Sequence, residues 1–153
     1  MAATTFTSTD GLTRVAPLPH TGLQAWTTKY VRAATTTLST SDEVLMMKLP
    51  NHITIVDAMV RADTKSTTAS GIYKVGVAGT DNNLIQTFSG SDGGVTVRAA
   101  TANLPVEISL SDSGDNVFTW VKLTVNSGAT TTSLTVSIAL TVFYTASSNM
   151  IDQ

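Results

Sequence analysis

Val117-Phe118-Thr119-Trp120-Val121-Lys122-Leu123-Thr124-Val125, then Asn126-Ser127-Gly128, then Leu134-Thr135-Val136-Ser137-Ile138-Ala139-Leu140-Thr141-Val142-Phe143-Tyr144, is the part of the chain that decides the fold. In the second run Leu134, Val136, Ile138, Leu140, Val142 and Tyr144 fall on even positions, and Ser133, Thr135, Ser137, Ala139 and Thr141 on odd ones. A period of two is the signature of a strand with one face buried. Each large apolar side chain on that face is worth roughly 1.5–3 kcal/mol when fully buried, so the segment reads as a core strand. The first run alternates in the same way, and the Asn-Ser-Gly turn between them predicts a hairpin.

Working outward, short β-like runs recur from Ala25 with turn chemistry between them. They are Trp26 to Leu38, Val44 to Leu49, Ile53 to Ala62, Gly71 to Val77, Leu84 to Phe88, Val95 to Arg98 and Val106 to Leu110. In the third of these Ile53, Ile55 and Met59 share one face and Val56, Ala58 and Val60 the other, which predicts a central strand covered on both sides. No segment shows a 3.6-residue apolar period, and no long repeat points to a propeller or solenoid. The expectation is an all-β protein, an antiparallel β-sandwich of jelly-roll type. Residues 1–24 carry Gly11, Pro17, Pro19 and Gly22 as punctuation and no regular apolar period, so they read as an extended N-terminal arm. Residues 25–146 form the sandwich domain and 147–153 a C-terminal tail. Phe6, Leu12, Val15, Leu18 and Leu23 are the apolar anchors of the arm.

The chain has 153 residues, among them 28 threonines and 15 serines, against only 9 Lys and Arg and 11 Asp and Glu. A charged share of 13% beside 42% apolar residues excludes a charge-driven disordered chain. With no cysteine there is no disulfide framework, thiolate metal site or cysteine nucleophile. The nine cations never cluster, which argues against nucleic-acid binding. Met1 to Phe6 has neither a basic stretch nor an apolar core, so no signal peptide is read there. The 29 uncharged residues between Lys122 and Asp152 are interrupted by Thr, Ser, Asn and Gly, so they read as sheet and not as a membrane helix.

Chemistry is sparse. His20 and His52 stand beside prolines in turn contexts, without the orienting carboxylate of a catalytic dyad or the ligand set of a zinc site. Leu18-Pro19-His20-Thr21-Gly22 matches a wall-sorting signal but lies at the wrong end of the chain for one. Asp81, Asp92, Asp112 and Asp115 sit in Asn/Gly-rich stretches that turns require, and none has EF-hand spacing. Glu43 and Glu107 are the only glutamates, and Glu107 alternates with Val106 and Ile108, so it faces solvent and offers no glycosidase pair. No catalytic residue, cofactor or metal site is expected, and no small-molecule substrate. Trp26, Tyr30, Phe118 and Trp120 fit either a sugar-stacking platform or a core and subunit contact, and the second reading is favoured.

Lys48-Leu49-Pro50-Asn51-His52-Ile53-Thr54-Ile55-Val56-Asp57-Ala58-Met59-Val60-Arg61-Ala62-Asp63 and Gly71-Ile72-Tyr73-Lys74-Val75-Gly76-Val77-Ala78-Gly79-Thr80-Asp81, together with the closing pair of strands around Gly128-Ala129-Thr130, resemble small virion proteins of tailed bacteriophages. In that family a Leu-Pro turn opens a strand, a Gly/Ser/Thr loop follows, and a Val-Gly strand comes next. The resemblance spans residues 44–145 and implies a jelly-roll-like capsid decoration, or cement, protein. It further implies a homotrimer made in the host cytoplasm that binds the major capsid protein on the outer surface of the head, with no nucleic acid or membrane as partner. A tail, fibre or host-adhesion component and a carbohydrate-binding module are the alternatives. Phe6, Leu12, Val15, Leu18, Trp26, Tyr30, Phe118 and Trp120 are the candidate interface residues.

Overall fold

The computed structural model describes residues 4–8, 16, 22–32, 38–62, 72–77, 80, 82–89, 96–108, 118–127 and 136–146. Ten strands are formed among them: β1 (Thr5–Thr7), β2 (Gln24–Arg32), β3 (Glu43–Pro50), β4 (Ile53–Ala62), β5 (Ile72–Val77), β6 (Ile85–Ser89), β7 (Thr96–Arg98), β8 (Val106–Ile108), β9 (Phe118–Ser127) and β10 (Val136–Ala146). They make two sheets, one in the order β1-β3-β9-β5-β6 and the other β2-β10-β4-β7 with β8 also on β4. Strands β2 to β5 alternate between the two sheets one by one, β5 and β6 stay in one, β7 and β8 lie in the other, and β9 and β10 go one to each. That interleaving is the jelly-roll arrangement, and it confirms the all-β sandwich.

Each strand contributes one face to a single core. In β10, Ile138, Leu140, Val142 and Tyr144 are buried, as the even-numbered alternation predicts. In β9 the odd positions Val121, Leu123 and Val125 go inward. The two strands are not a hairpin, however. β9 pairs with β3 and β5, whereas β10 pairs with β2 and β4 in the other sheet. Both carry a full inner apolar face, and a core between two layers is filled by placing those faces opposite each other. Side-by-side pairing would put both in one layer.

The two-sided burial expected of 53–62 is also corrected. Ile53 and Ile55 are buried on one phase and Ala58, Val60 and Ala62 on the other. Between them the register with β10 slips, so that Phe143 lies opposite Asp57 and Tyr144 opposite Ile55, with Val56 left over. One extra residue in a strand reverses which side chains face inward. The segment is therefore a strand with one buried face and a bulge, and Val56 is turned out to solvent at 38% exposure. β3 has the same device at Met46: Leu45 lies opposite Lys122 and Met47 opposite Val121, so Met46 and Met47 are both buried.

Within residues 1–24, the stretch Thr5–Thr7 is extended and pairs in parallel with Glu43–Leu45 of β3, forming an edge strand. The Asp42 carboxylate clips it, accepting hydrogen bonds from the Thr4 N–H at 2.7 Å and the Ser39 N–H at 2.8 Å. The buried Ser8 hydroxyl donates to the Met46 carbonyl at 2.5 Å, and the Ala16 N–H reaches the Lys48 carbonyl at 2.8 Å.

Candidate interaction surfaces

On the inner side, the polar groups that sequence reading passed over are structural. Arg32, at the end of β2, is fully buried, and its charge lies beside Tyr30 and Tyr73. Burial pushes the Tyr73 hydroxyl up to about 12, with Arg32 opposing the shift. Burial likewise raises Tyr30, again against Arg32, and raises Tyr144. Tyr73 stacks on Phe88 with ring centres 5.4 Å apart. Burial in the core holds these phenols neutral.

The outer face of the β1-β3-β9-β5-β6 sheet carries the aromatic cluster. Phe118 and Trp120 are successive outward positions of β9, and their rings meet edge to face at 5.9 Å. Lys48, opposite Trp120 in the register, holds its Nζ 4.8 Å from the Phe118 ring centre and 5.1 Å from that of Trp120. One cation over two rings is a favourable arrangement worth about 0.5–1 kcal/mol at an exposed site. The perpendicular rings and the lysine across them do not make the flat, open platform on which a sugar ring stacks. Further along the same face Lys122 is ion-paired with Glu43.

The opposite outer face is built from β2, β10, β4 and β7. On it the Thr27 and Thr141 hydroxyls lie 2.9 Å apart across the strands, and exposed Lys29 and Arg61 flank Ala139. At its margin the bulge at Val56 opens a recess of about 390 Å³ lined by Val56, Asp57, Arg98, Ala99, Thr101 and Leu104, with Asp57 and Arg98 ion-paired on the rim.

The sequence-derived interface residues fall into three places. Phe118 and Trp120 come together with Lys48 on an outer face, half-exposed. Phe6 and Trp26 are partly buried and pack against the core, and Tyr30 is part of it at 8% exposure. Leu12, Val15 and Leu18 lie outside the described residues, as do His20, Asp81, Asp92, Asp112 and Asp115. Among the described residues no three His, Asp or Glu side chains approach one another as metal ligands would. Glu107 is exposed as expected. His52 sits in the turn before β4 with φ 60°, its N–H bonded to the Ile108 carbonyl at 2.8 Å. The recess and the Lys48 contact were not legible beforehand. An outward Lys and an outward Trp on separate runs become neighbours only once the β3–β9 register is known.

No protein-family model matches the chain, and no curated protein sequence does. Solved structures do. A chain in the capsid of Ralstonia phage GP4 superposes with a TM-score of 0.72 at 18% identity, covering 94% of this chain and 99% of that one. A chain of the cyanophage Pam1 capsid asymmetric unit gives 0.63 at 18% identity, over 89% and 96%. A chain of the acid-stable capsid of Helicobacter pylori bacteriophage KHP30 gives 0.50 at 14% identity, over 80% and 92%. At these identities the shared property is the fold, from one end of each chain nearly to the other.

Proposed function

We propose that this chain is a non-enzymatic structural protein of a bacteriophage virion, and that it decorates the outer surface of the head as a homotrimer bound to the major capsid protein. The observation that carries this reading is the near end-to-end overlap with a chain of a phage capsid, 94% of this chain on 99% of that one. A fold alone does not assign a function. The side chains supply a second argument: the buried ionisable groups are locked in the core, and the outer faces carry aromatic and cationic contact groups. Phe118, Trp120 and Lys48 are the proposed contact to the shell, and residues 1–24, with Phe6, Leu12, Val15 and Leu18, the proposed docking arm, held to β3 at Thr5–Thr7. Many weak contacts repeated over a lattice hold such a protein firmly even where each alone is weak.

The test is to add purified protein to heads that lack it and image them. Threefold density on the outside of the shell, reduced in Trp120→Ala, is the expected result. Absence from heads together with density on tails or fibres would replace this reading with the tail-component one.

A further inference from the structure

The described residues include four exposed large apolar side chains, Leu23, Val31, Val56 and Ile72, and three of them lie on one outer face. That face belongs to β2, β10 and β4. Val31 is an outward position of β2, Leu23 continues the same phase one residue before the strand, and Val56 is turned out by the bulge. Leu23 is 62% and Val31 54% exposed in the folded chain, so solvent reaches both. Ile72 stands apart, in β5 of the other sheet.

The outward side chains of this face are arranged symmetrically about one row. Thr27, Thr141 and Met59 are register neighbours across the three strands. On one side of that row lie Ala25, Phe143 and Asp57, and on the other Lys29, Ala139 and Arg61. Along β2 the next outward positions are Leu23 at one end and Val31 at the other. A second copy turned by 180° about the row therefore sets Leu23 against Val31, the large Phe143 against the small Ala139, and Asp57 against Arg61. Every contact occurs twice, as in an isologous interface. Arg98 lies beyond Met59 at the margin and is ion-paired with Asp57 in its own chain. Turning the second copy about the strand direction instead would stack Lys29 on Arg61 and bring like charges together, which costs several kcal/mol in general.

We propose that this face is a contact site for a second copy of the chain, across a two-fold axis along the row Thr27, Thr141 and Met59. Three strands about 4.8 Å apart and eight residue steps of about 3.4 Å give a face of roughly 400 Å². That is about half of the ~800 Å² per partner found in stable interfaces, so the contact is weak between free molecules. It strengthens where many copies are held close together on one surface. A two-fold joins copies in pairs, so the contact goes beyond the proposed trimer, linking one copy to a copy outside it. It is independent of what the Phe118 and Trp120 face binds.

Cross-linking tests the proposal on the purified chain. The sequence contains no cysteine, so one introduced thiol reports on one place. Thr27→Cys lies on the axis and meets its own counterpart, and Ile72→Cys is the control on the other sheet. Treated with a short bis-maleimide at roughly 100 µM protein, Thr27→Cys should give at least about fivefold more covalent dimer than Ile72→Cys, as expected for a contact with Kd between micromolar and millimolar. Adding Thr141→Arg, which sets two cations against each other on the axis, should remove the excess. If that double variant does not fold, the comparison of Thr27→Cys with Ile72→Cys decides alone. Equal yields from the two thiols, or an excess that survives Thr141→Arg, overturns the proposal. A Thr27→Cys thiol shielded from a monofunctional maleimide on virions, yet giving no excess of dimer there or in solution, assigns the face to a different protein and overturns it too. None of these outcomes touches the binding of heads, so the virion reading stands or falls separately.

Discussion

Two adjacent substitutions in β10 separate the faces of the sandwich. Ile138 is 1% exposed, lies between Tyr30 of β2 and Ala62 of β4, and belongs to the core. Ile138→Asp removes the apolar contacts, which cost about 2–5 kcal/mol when an Ile is cut to Ala, and adds an unpaired carboxylate that costs several kcal/mol more. The sum is comparable with the whole stability of a domain, roughly 5–15 kcal/mol, so the soluble folded fraction should collapse. Ala139, the next residue, points outward and lies opposite Lys29 on one side and Arg61 on the other. Ala139→Asp places a carboxylate between two cations, a gain of about 0.2–1 kcal/mol for each pair, set against a loss of strand propensity of up to ~1 kcal/mol. Its net effect should lie within about 1 kcal/mol of the parent, a shift of no more than ~2–4 °C in melting temperature. Ala139→Lys reverses both pairs and should melt below Ala139→Asp, and 1 M salt should shrink the difference between them. Equal damage from Ile138→Asp and Ala139→Asp would refute the face assignment. Equal melting of the Asp and Lys variants at low salt would refute the register.

The alkaline limb of stability should depend on Tyr73. Its hydroxyl ionises near pH 10 in the unfolded chain and is held neutral to about 12 in the fold, so its contribution is fully present below pH 10 and falls away between pH 10 and 12. A two-unit shift corresponds to about 3 kcal/mol. Tyr73→Phe keeps the ring stack on Phe88 and should flatten the fall in urea midpoint between pH 9 and 11.5, leaving the smaller slope of Tyr30 and Tyr144. An unchanged slope would remove Tyr73 as its source. At the other end of the fold, Asp42→Ala leaves the Thr4 and Ser39 N–H groups without their acceptor. It should cost about 1–3 kcal/mol and speed amide exchange at Thr5–Thr7, with Asp42→Asn milder, since one carbonyl oxygen remains. Exchange at Thr5–Thr7 as slow as in the parent would mean that the clip does not hold β1.

How much of this was legible in the sequence follows from the range of each signal. Alternation is local, so the buried faces of β9 and β10 could be read directly from residues 117–144. Which strands pair is not local: a short turn after Val125 looks like a hairpin whether the chain folds back within a sheet or crosses to the facing one. Bulges defeat alternation in a particular way. In β4 the inward phase changes from odd to even at Val56, and a reader without the register sees apolar residues on both faces and infers a strand covered twice. The single exposed valine is what distinguishes the two cases, and it does so only in three dimensions.

β1 and Arg32 failed for different reasons. Three residues, Thr5-Phe6-Thr7, are too few to show a period, and their place in the sheet depends on partners at Asp42 and Met46 more than thirty residues away. Arg32 follows Val31 in a run that alternates as β2 should, and counted by type it is a surface cation. Its inward position is set by the same even-numbered phase that buries Thr28 and Tyr30. Period outranks residue type there, because turning Arg32 out would expose both neighbours of that phase. The exposed positions of the same strand, Val31 above all, then have no inward duty.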